Sequence, residues 1–441
     1  MFNKRLSSLY RHVMFNLRGG FLVRPLIIAL TLGFLGASLS NLEAAFPAIS
    51  AWTPHILFPS RSDPLVAQNI LSIIAASMMT VVSIVFAILL MTLTLASMQY
   101  SPRILTAFAQ DRVTQETLGI FLGTFTYCLA ALPAARTLPS PVEPVVTLLG
   151  AMLLALACVA WLLYFIHHIS QAISVNMIVD RIAGETEAII DDTMPRPLRL
   201  SRLPDPPPTV YDARQTTLNS ETSGYVRFID TKRLVALTKS YGLNVIVLRR
   251  VGHFVPAGVP IANVSNGEKL TPARVAELLS LFDIGPTRTL EQDIEFGILQ
   301  IVDIALKAIS PAVNDPSTAI SCIDQLSRIL IRYASREQTD SRYYDPPGVL
   351  RVSIPWLTLD RLMDSAFEQI RHYAETDVVV SLRLLRALTD ISSTIPDAGD
   401  KQKIAERGRR VVSGCAGKLA EDEIIELRAR QAGIEAFAAK E

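Results

Sequence analysis

Long apolar runs fill the chain as far as about residue 170, then give way to shorter stretches in which apolar and polar positions alternate. A helix crossing a hydrocarbon core of about 30 Å needs roughly 20 mainly apolar residues. Four stretches approach or exceed that length: about Pro25 to Leu42, Leu65 to Leu95, Leu118 to Ala135 and Val145 to Ile169. The second has no Gly or Pro between Pro64 and Ser97. As one helix it extends roughly 50 Å and overruns the bilayer. The fourth continues beyond His167 and His168 with one apolar face, Ile169, Ile173, Met177, Ile178, Ile182 and Ile189, opposed by Asn176, Asp180, Arg181 and Glu185. That periodicity predicts a helical stalk leaving the membrane.

Lys4, Arg5, Arg11, Arg18 and Arg24 precede the first span, Arg103 and Arg112 lie between the second and third, and Arg181 follows the fourth, whereas the other two loops carry only Arg61 and Arg136. This asymmetry predicts a multi-pass membrane protein with both termini cytoplasmic. No small-residue cleavage site follows the first apolar run, so that run is expected to stay as an anchor. The membrane domain with its helical extension is expected over residues 1–193. A linker with six prolines follows over 194–212, then a small β domain over 213–268 and an α-helical cytoplasmic domain over 269–441. In the β stretch, Val245 and Val247 mark a short β-branched strand, and Gly252 before "HFVPAG" and Gly258 at its end predict hairpin turns. About forty residues there resemble the barrel-sandwich fold of biotinyl and lipoyl carriers. The Met-Lys-Met carrier turn is missing, so no swinging cofactor is expected. The fold class is thus a four-helix integral membrane domain followed by a cytoplasmic α+β domain, a barrel-sandwich-like unit plus a helical bundle.

Hydrophobic residues make up 50% of the chain and charged residues 19%, with a net charge of +1 and no dense basic stripe, which argues against nucleic acid as a partner. Cys128, Cys158, Cys322 and Cys415 are isolated and read as small apolar packers rather than as a zinc or disulfide framework. His167 and His168 lack further ligands at metal-binding spacing and read as interfacial. Phosphate-binding, dinucleotide-binding, zinc-protease and nucleophile-elbow motifs are absent, so neither enzymatic activity nor a cofactor is expected; an enzyme is the third reading and needs a site of another kind, around Asp293, Asp303 and Asp315.

Along the second span, Gln68, Ser72 and Thr80 recur at multiples of four, with Ser83 and Thr94 near the same stripe. Two readings stay open: a pore-lining face, or tight packing through small residues. No span carries a central ionisable residue, which favours a passive pore over a pump. Beyond this span, Ser101 suits an N-cap, Pro102 the first helical position, and Arg103 an inner mouth where it meets lipid phosphates, an acidic partner or a permeating anion. In the loop of residues 41–64, Phe46, Trp52, Ile56 and Phe58 read as interfacial anchors.

The stretch "DIALKAISPAVNDPSTAI", residues 303–320, joins two helical runs through a polar turn. Asp303 and Lys307 stand in the favourable i, i+4 order, Asp315 caps the second helix and Pro316 opens it. Asn314, Asp315, Ser317 and Thr318 gather oxygen atoms at a helix start. Capping accounts for these residue types; a subunit contact or an ion-sensing corner involving Asp303, Asn314, Asp315 and Thr318 is the functional expectation.

"LASMQYSPRIL", "LGIFLGTFTYCL", "RTLEQDIEFG" and "DIALKAISPAVNDPSTA" together resemble the bacterial membrane proteins grouped as domain-of-unknown-function family 2254, over about residues 15 to 430. The resemblance implies a four-span inner-membrane protein with a cytoplasmic domain and supplies no activity. The leading expectation is a homo-oligomeric ion channel whose second span lines the path and whose cytoplasmic domain gates it. Its partners are then the bilayer, further copies of the chain, and ions. The alternative is a membrane-anchored scaffold or signalling protein without transport.

Overall fold

The computed structural model describes residues 22–46, 64–99, 111–132, 145–172, 174–194, 215–336, 342–345, 349–355 and 357–438. The chain divides into two compact units, Met1–Ser174 and Val175–Glu441.

The first unit holds helices α1 (Val23–Ala45), α2 (Pro64–Gln99), α3 (Arg112–Ala131) and α4 (Val145–Ala172). Among the described residues three helical segments are long and apolar enough to cross a membrane: Val23–Ala45, Val66–Thr94 and Val145–Gln171. The third expected span forms a helix with different ends, starting at Arg112 rather than Leu118 and stopping at Ala131. It is not among those three, because α1, α2 and α4 all pack on it and it can therefore hold polar side chains. Thr117 donates to the Val113 carbonyl (2.7 Å) and accepts from Trp161 Nε1 (2.9 Å), while Thr124 donates to the Ile120 carbonyl (2.9 Å).

Close backbone approach joins α1 to α3. A Cβ at Gly36 would lie 2.5 Å from the Tyr127 carbonyl oxygen, and one at Gly119 would lie 2.7 Å from Ile28 Cδ1. Thr126 Oγ1 donates to the Ala29 carbonyl at 2.7 Å. Small residues and interhelical hydrogen bonds are the usual means of helix association where lipid offers no hydrophobic drive.

The expected continuous stalk resolves into two helices. α4 ends at Ala172, and α5 (Val175–Thr193) belongs to the second unit, so the boundary expected after residue 193 lies near Ser174. The apolar face of α5, including Ile178, Val179, Ile182 and Ile190, is buried, and this helix packs against α8 (Ile294–Ala308) and α9 (Pro316–Ala334). Its acidic side chains reach Arg residues of α9: Arg328 bonds Asp180 (2.8 Å) and Glu187 (2.5 Å), and Arg332 and Arg336 share Asp191. The same periodicity serves a protein core here, which is why it did not mark the end of the membrane half.

Between α5 and α8 lie β1 (Gln215–Asn219), β2 (Gly224–Ile229), α6 (Thr231–Tyr241), β3 (Asn244–Val247), β4 (Phe254–Val255), β5 (Pro260–Ser265), α7 (Pro272–Leu279) and β6 (Phe282–Gly285). After α9 come β7 (Arg342–Asp345) and β8 (Val349–Ser353), then α10 (Leu359–Tyr373), α11 (Val378–Thr394), α12 (Ala398–Cys415) and α13 (Glu421–Ala438). One sheet has the order β1-β5-β3-β8-β7 and the other β4-β2-β6. The stretch from 269 is therefore not purely helical, since β6, β7 and β8 complete sheets begun before it. β3 and β8 pair in parallel, and α6 intervenes between β2 and β3, which makes the unit α+β. Gly252 and Gly258 do take positive φ (88° and 83°), yet β4 and β5 lie in different sheets, so the turn at Gly258 crosses between sheets instead of closing a hairpin. Leu218, Val226, Leu234, Val245, Val264 and Val352 are in the shared core.

Candidate functional site

A cavity of about 600 Å³ opens in the second unit where the end of α5, the β2–α6 turn, the start of α8 and the segment after β8 converge. Phe228, Ile229, Val251, Ile294, Ile354 and Leu357 supply apolar wall. Asp192, Asp230, Lys232, Arg250, Gln292 and Asp293 supply polar groups. Gln292 acts like a strand partner for β2, accepting from Ile229 N–H (3.0 Å) and donating to its carbonyl (3.3 Å), and so pins the sheet to the start of α8. An apolar pocket of this size with a few convergent polar groups has the form of a small-molecule site.

The cavity wall rests on a buried ionic cluster. Arg250 Nη2 meets Glu295 Oε2 at 2.9 Å, and Arg288 grips Asp293 with two hydrogen bonds of 2.7 and 2.8 Å and reaches Glu295 at 3.4 Å. Asp293, only 2% exposed, also caps α8 by accepting from Phe296 N–H at 3.0 Å. Ser365 of α10 donates to Glu295 at 3.2 Å. Burial alone would raise the Glu295 carboxyl; the hydrogen bond and charge of Arg250, aided by Arg288 and Ser365, outweigh it and hold the group below its ordinary range. Burial likewise opposes the charge on Arg288, and Asp293 with Glu295 reverses the effect, leaving the guanidinium raised. His253 is pushed down by burial and by Arg250. Gly252 belongs to this arrangement: a Cβ there would sit 2.5 Å from Asp293 Oδ2.

Residues 18–390 match the family described as predicted membrane protein, DUF2254. The chain belongs to that family. Proteins of Mycobacterium bovis and of Mycobacterium tuberculosis strain H37Rv, each named an uncharacterized protein, are 29% identical to it over 368 residues, 82% of this chain and 70% of theirs. No solved structure matches.

Of the residues singled out from the sequence, Asp293 lines the cavity, together with its neighbours Gln292 and Ile294 in the "RTLEQDIEFG" stretch, whereas the candidates on α2 and at the 303–318 corner do not. In this DUF2254 chain the polar positions of α2 lie away from the helix contacts: Ser72, Thr80, Ser83 and Thr94 are exposed, Gln68 is half-buried at the seam, and the buried face is Ala67, Leu71, Ala75, Met78 and Val85. Thr80, Ser83 and Thr94 donate their hydroxyl hydrogens to carbonyls of their own helix, at 3.2, 2.9 and 2.8 Å. Ser101 and Arg103 lie outside the described residues, as do loop positions 47–63 and linker positions 195–214. His168 contacts Asp111 at 3.2 Å, and the same carboxylate caps α3 through Thr114 N–H at 2.9 Å.

The polar corner assembles as a cap. Asn314 takes φ +50°, Asp315 N–H donates to the Ala308 carbonyl (2.8 Å), and the Asp315 carboxylate accepts from Thr318 N–H (3.2 Å) and Oγ1 (2.6 Å). The Thr318 hydroxyl and amide hold the Asp315 carboxyl below its usual value. Asp303 is half-buried on α8. Asp315→Ala is expected to cost about 1 kcal/mol, measured by denaturant unfolding. A wild-type midpoint would show that this cap does not stabilise α9.

The cluster beside the cavity has one sequence signal, the crowding of Arg288, Asp293 and Glu295 within eight residues just before an apolar helix. Its partner Arg250 and the wall residues from α5 and β8 come from distant stretches and leave no local mark.

Proposed function

We propose that the protein is a homo-oligomeric ion channel of the bacterial inner membrane. In this reading α1 to α4 are all embedded as four spans, both termini face the cytoplasm, and the second unit gates the path. The observation that carries it is the outward placement of the α2 stripe. At 3.6 residues per turn, exposed Asn69, Ala76 and Ala87 fall on the same side as Ser72, Thr80, Ser83 and Thr94. Polar side chains within a bilayer normally face a neighbouring helix or water, and small residues let a second copy approach. Because three of these hydroxyls spend their hydrogens on the helix itself, they present oxygen lone pairs outward, which suits a cation. No covalent chemistry enters this function.

Gating by the second unit is supported by the path of the chain. α5 follows α4 after two residues and ends at Asp192 and Thr193 on the cavity wall. A molecule seated there touches the helix that the chain enters on leaving the membrane unit.

Full-length protein in liposomes is expected to pass potassium ions under voltage, and Thr80→Leu with Ser83→Leu to cut the flux about tenfold or more by making the lining apolar. Absence of flux under voltage, tension and ligand addition refutes the channel. Exposed Tyr373 and Ile425 on the helical bundle favour the second reading, a membrane-anchored scaffold, which predicts a stable cytosolic partner and unchanged function in the same α2 variants.

A further inference from the structure

We propose that the cavity beside α8 binds a small amphiphilic ammonium compound, an apolar body carrying one protonated amine. The proposal extends the gating reading by naming the ligand of that unit, but binding is measured separately from flux.

The ionic groups of the wall divide into those already committed and those left over. Arg250 is occupied by Glu295 and also donates to the Val251 carbonyl, while both oxygens of Asp293 are held by Arg288 and one of them also by Phe296 N–H. Those groups are committed to one another, with the mostly solvent-exposed Arg361 a further guanidinium at 3.6 Å from Glu295. Three lining groups remain. Asp192 and Lys232 make no ion pair or side-chain hydrogen bond among the described residues, and Asp230 commits one carboxylate oxygen to Arg233 N–H (3.0 Å). Two short carboxylates thus face one ammonium on a long, exposed and strongly hydrated stem.

Helix geometry adds to this imbalance. Asp192 lies in the last turn of α5, where the backbone carbonyls carry the negative end of the helix dipole and favour a cation, while the positive starts of α6 and α8 on the same wall are each already met by their capping carboxylates, Asp230 and Asp293. Phe228 and Tyr343, also on the wall, are aromatic residues of the kind that pair with a cation. An anion would instead meet two carboxylates and the carbonyl end of a helix. The aliphatic side chains Val251, Ile294, Ile354 and Leu357 call for an apolar body, and a pocket of about 600 Å³ admits one of the size of a phenylalkyl group with room for its solvent.

The test is calorimetric titration of full-length protein in phosphatidylcholine nanodiscs, with empty nanodiscs as the blank. The probes are 2-phenylethylamine, 3-phenylpropanoate and 2-phenylethanol, which share the apolar body and differ in charge. Saturable binding of the amine at one site per chain is expected, with the acid and the alcohol at least about tenfold weaker. Asp192→Asn, an exposed isosteric change, should weaken the amine about tenfold by removing that carboxylate's charge. Ile354→Trp should fill the cavity and abolish binding at some cost in melting temperature, since Ile354 is buried in the core of the second unit, so Asp192→Asn is the variant that tests the site with the fold intact. Equal or tighter binding of the acid overturns the proposal, as does failure of all three probes to bind or amine binding unaltered by both substitutions. Amine binding by a protein that passes no ions refutes the channel and keeps this site, whereas flux without amine binding does the reverse.

Discussion

Glu295→Leu is expected to destabilise the second unit by about 3–5 kcal/mol, the usual cost of breaking a buried ion pair from one side. The side chain of Glu295 is 10% exposed and lies within 4 Å of three guanidinium groups, at 2.9 Å from Arg250, 3.4 Å from Arg288 and 3.6 Å from Arg361. Arg361 is mostly in solvent and Arg288 keeps Asp293, so the loss falls on Arg250, whose side chain is 9% exposed. That cation would be left buried without a carboxylate. The double variant Arg250→Leu with Glu295→Leu should recover much of the loss, since apolar replacements of a whole buried pair are often neutral. Hydrogen exchange of the α8 amides reports the effect locally; protection equal to wild type in the single variant would contradict it. The cluster also sets an acid limit. The folded-state carboxyl of Glu295 is held below the unfolded value near 4.5, so its contribution is complete above about that pH and is lost as pH falls through the lower folded value. Wild-type stability should therefore fall more steeply below pH 4.5 than that of Glu295→Gln.

Hydrophobic periodicity made the helices legible and left their surroundings unspecified. The length and apolarity of α2 and α4 were visible because each is a nearly unbroken run. The same property hid the change of unit at Ser174, since Ile178 and Ile182 continue the repeat whether they meet lipid or the core formed with α8 and α9. The strands missed after residue 269 are short. "FDIG" follows the amphipathic helix α7 after two residues, and only its pairing with β2 makes it extended. β8 likewise depends on a parallel partner, β3, far away in the chain. The cap at Asp315 was readable because its acceptor and donors lie within three residues. The cavity was not, because Asp192, Asp230, Asp293 and Ile354 converge only after both sheets and the helical layer have formed.

Glu43→Leu should be the corresponding disruptive change in the first unit, costing about 3 kcal/mol or more by leaving several buried donors unpaired. Glu43 is 1% exposed, on the last turn of α1. Its carboxylate accepts from Val146 N–H (2.6 Å), Thr147 N–H (3.0 Å) and Thr147 Oγ1 (2.6 Å). Val146 and Thr147 open α4, where the first four N–H groups have no partner within the helix. An acid at the C-terminal end of its own helix is electrostatically misplaced, and it becomes favourable only because it meets the positive start of another. Local capping rules therefore cannot find it: the capped helix begins about a hundred residues later. Glu43→Gln retains one acceptor oxygen but turns a second contact into donor against donor, so an intermediate loss of about 1–2 kcal/mol is expected. Thermal unfolding of both variants in detergent should rank them wild type, Gln, Leu. The exchange protection of the Val146 and Thr147 amides should fall in the same order, and unchanged protection in Glu43→Leu would mean that α1 does not hold the start of α4 through this side chain.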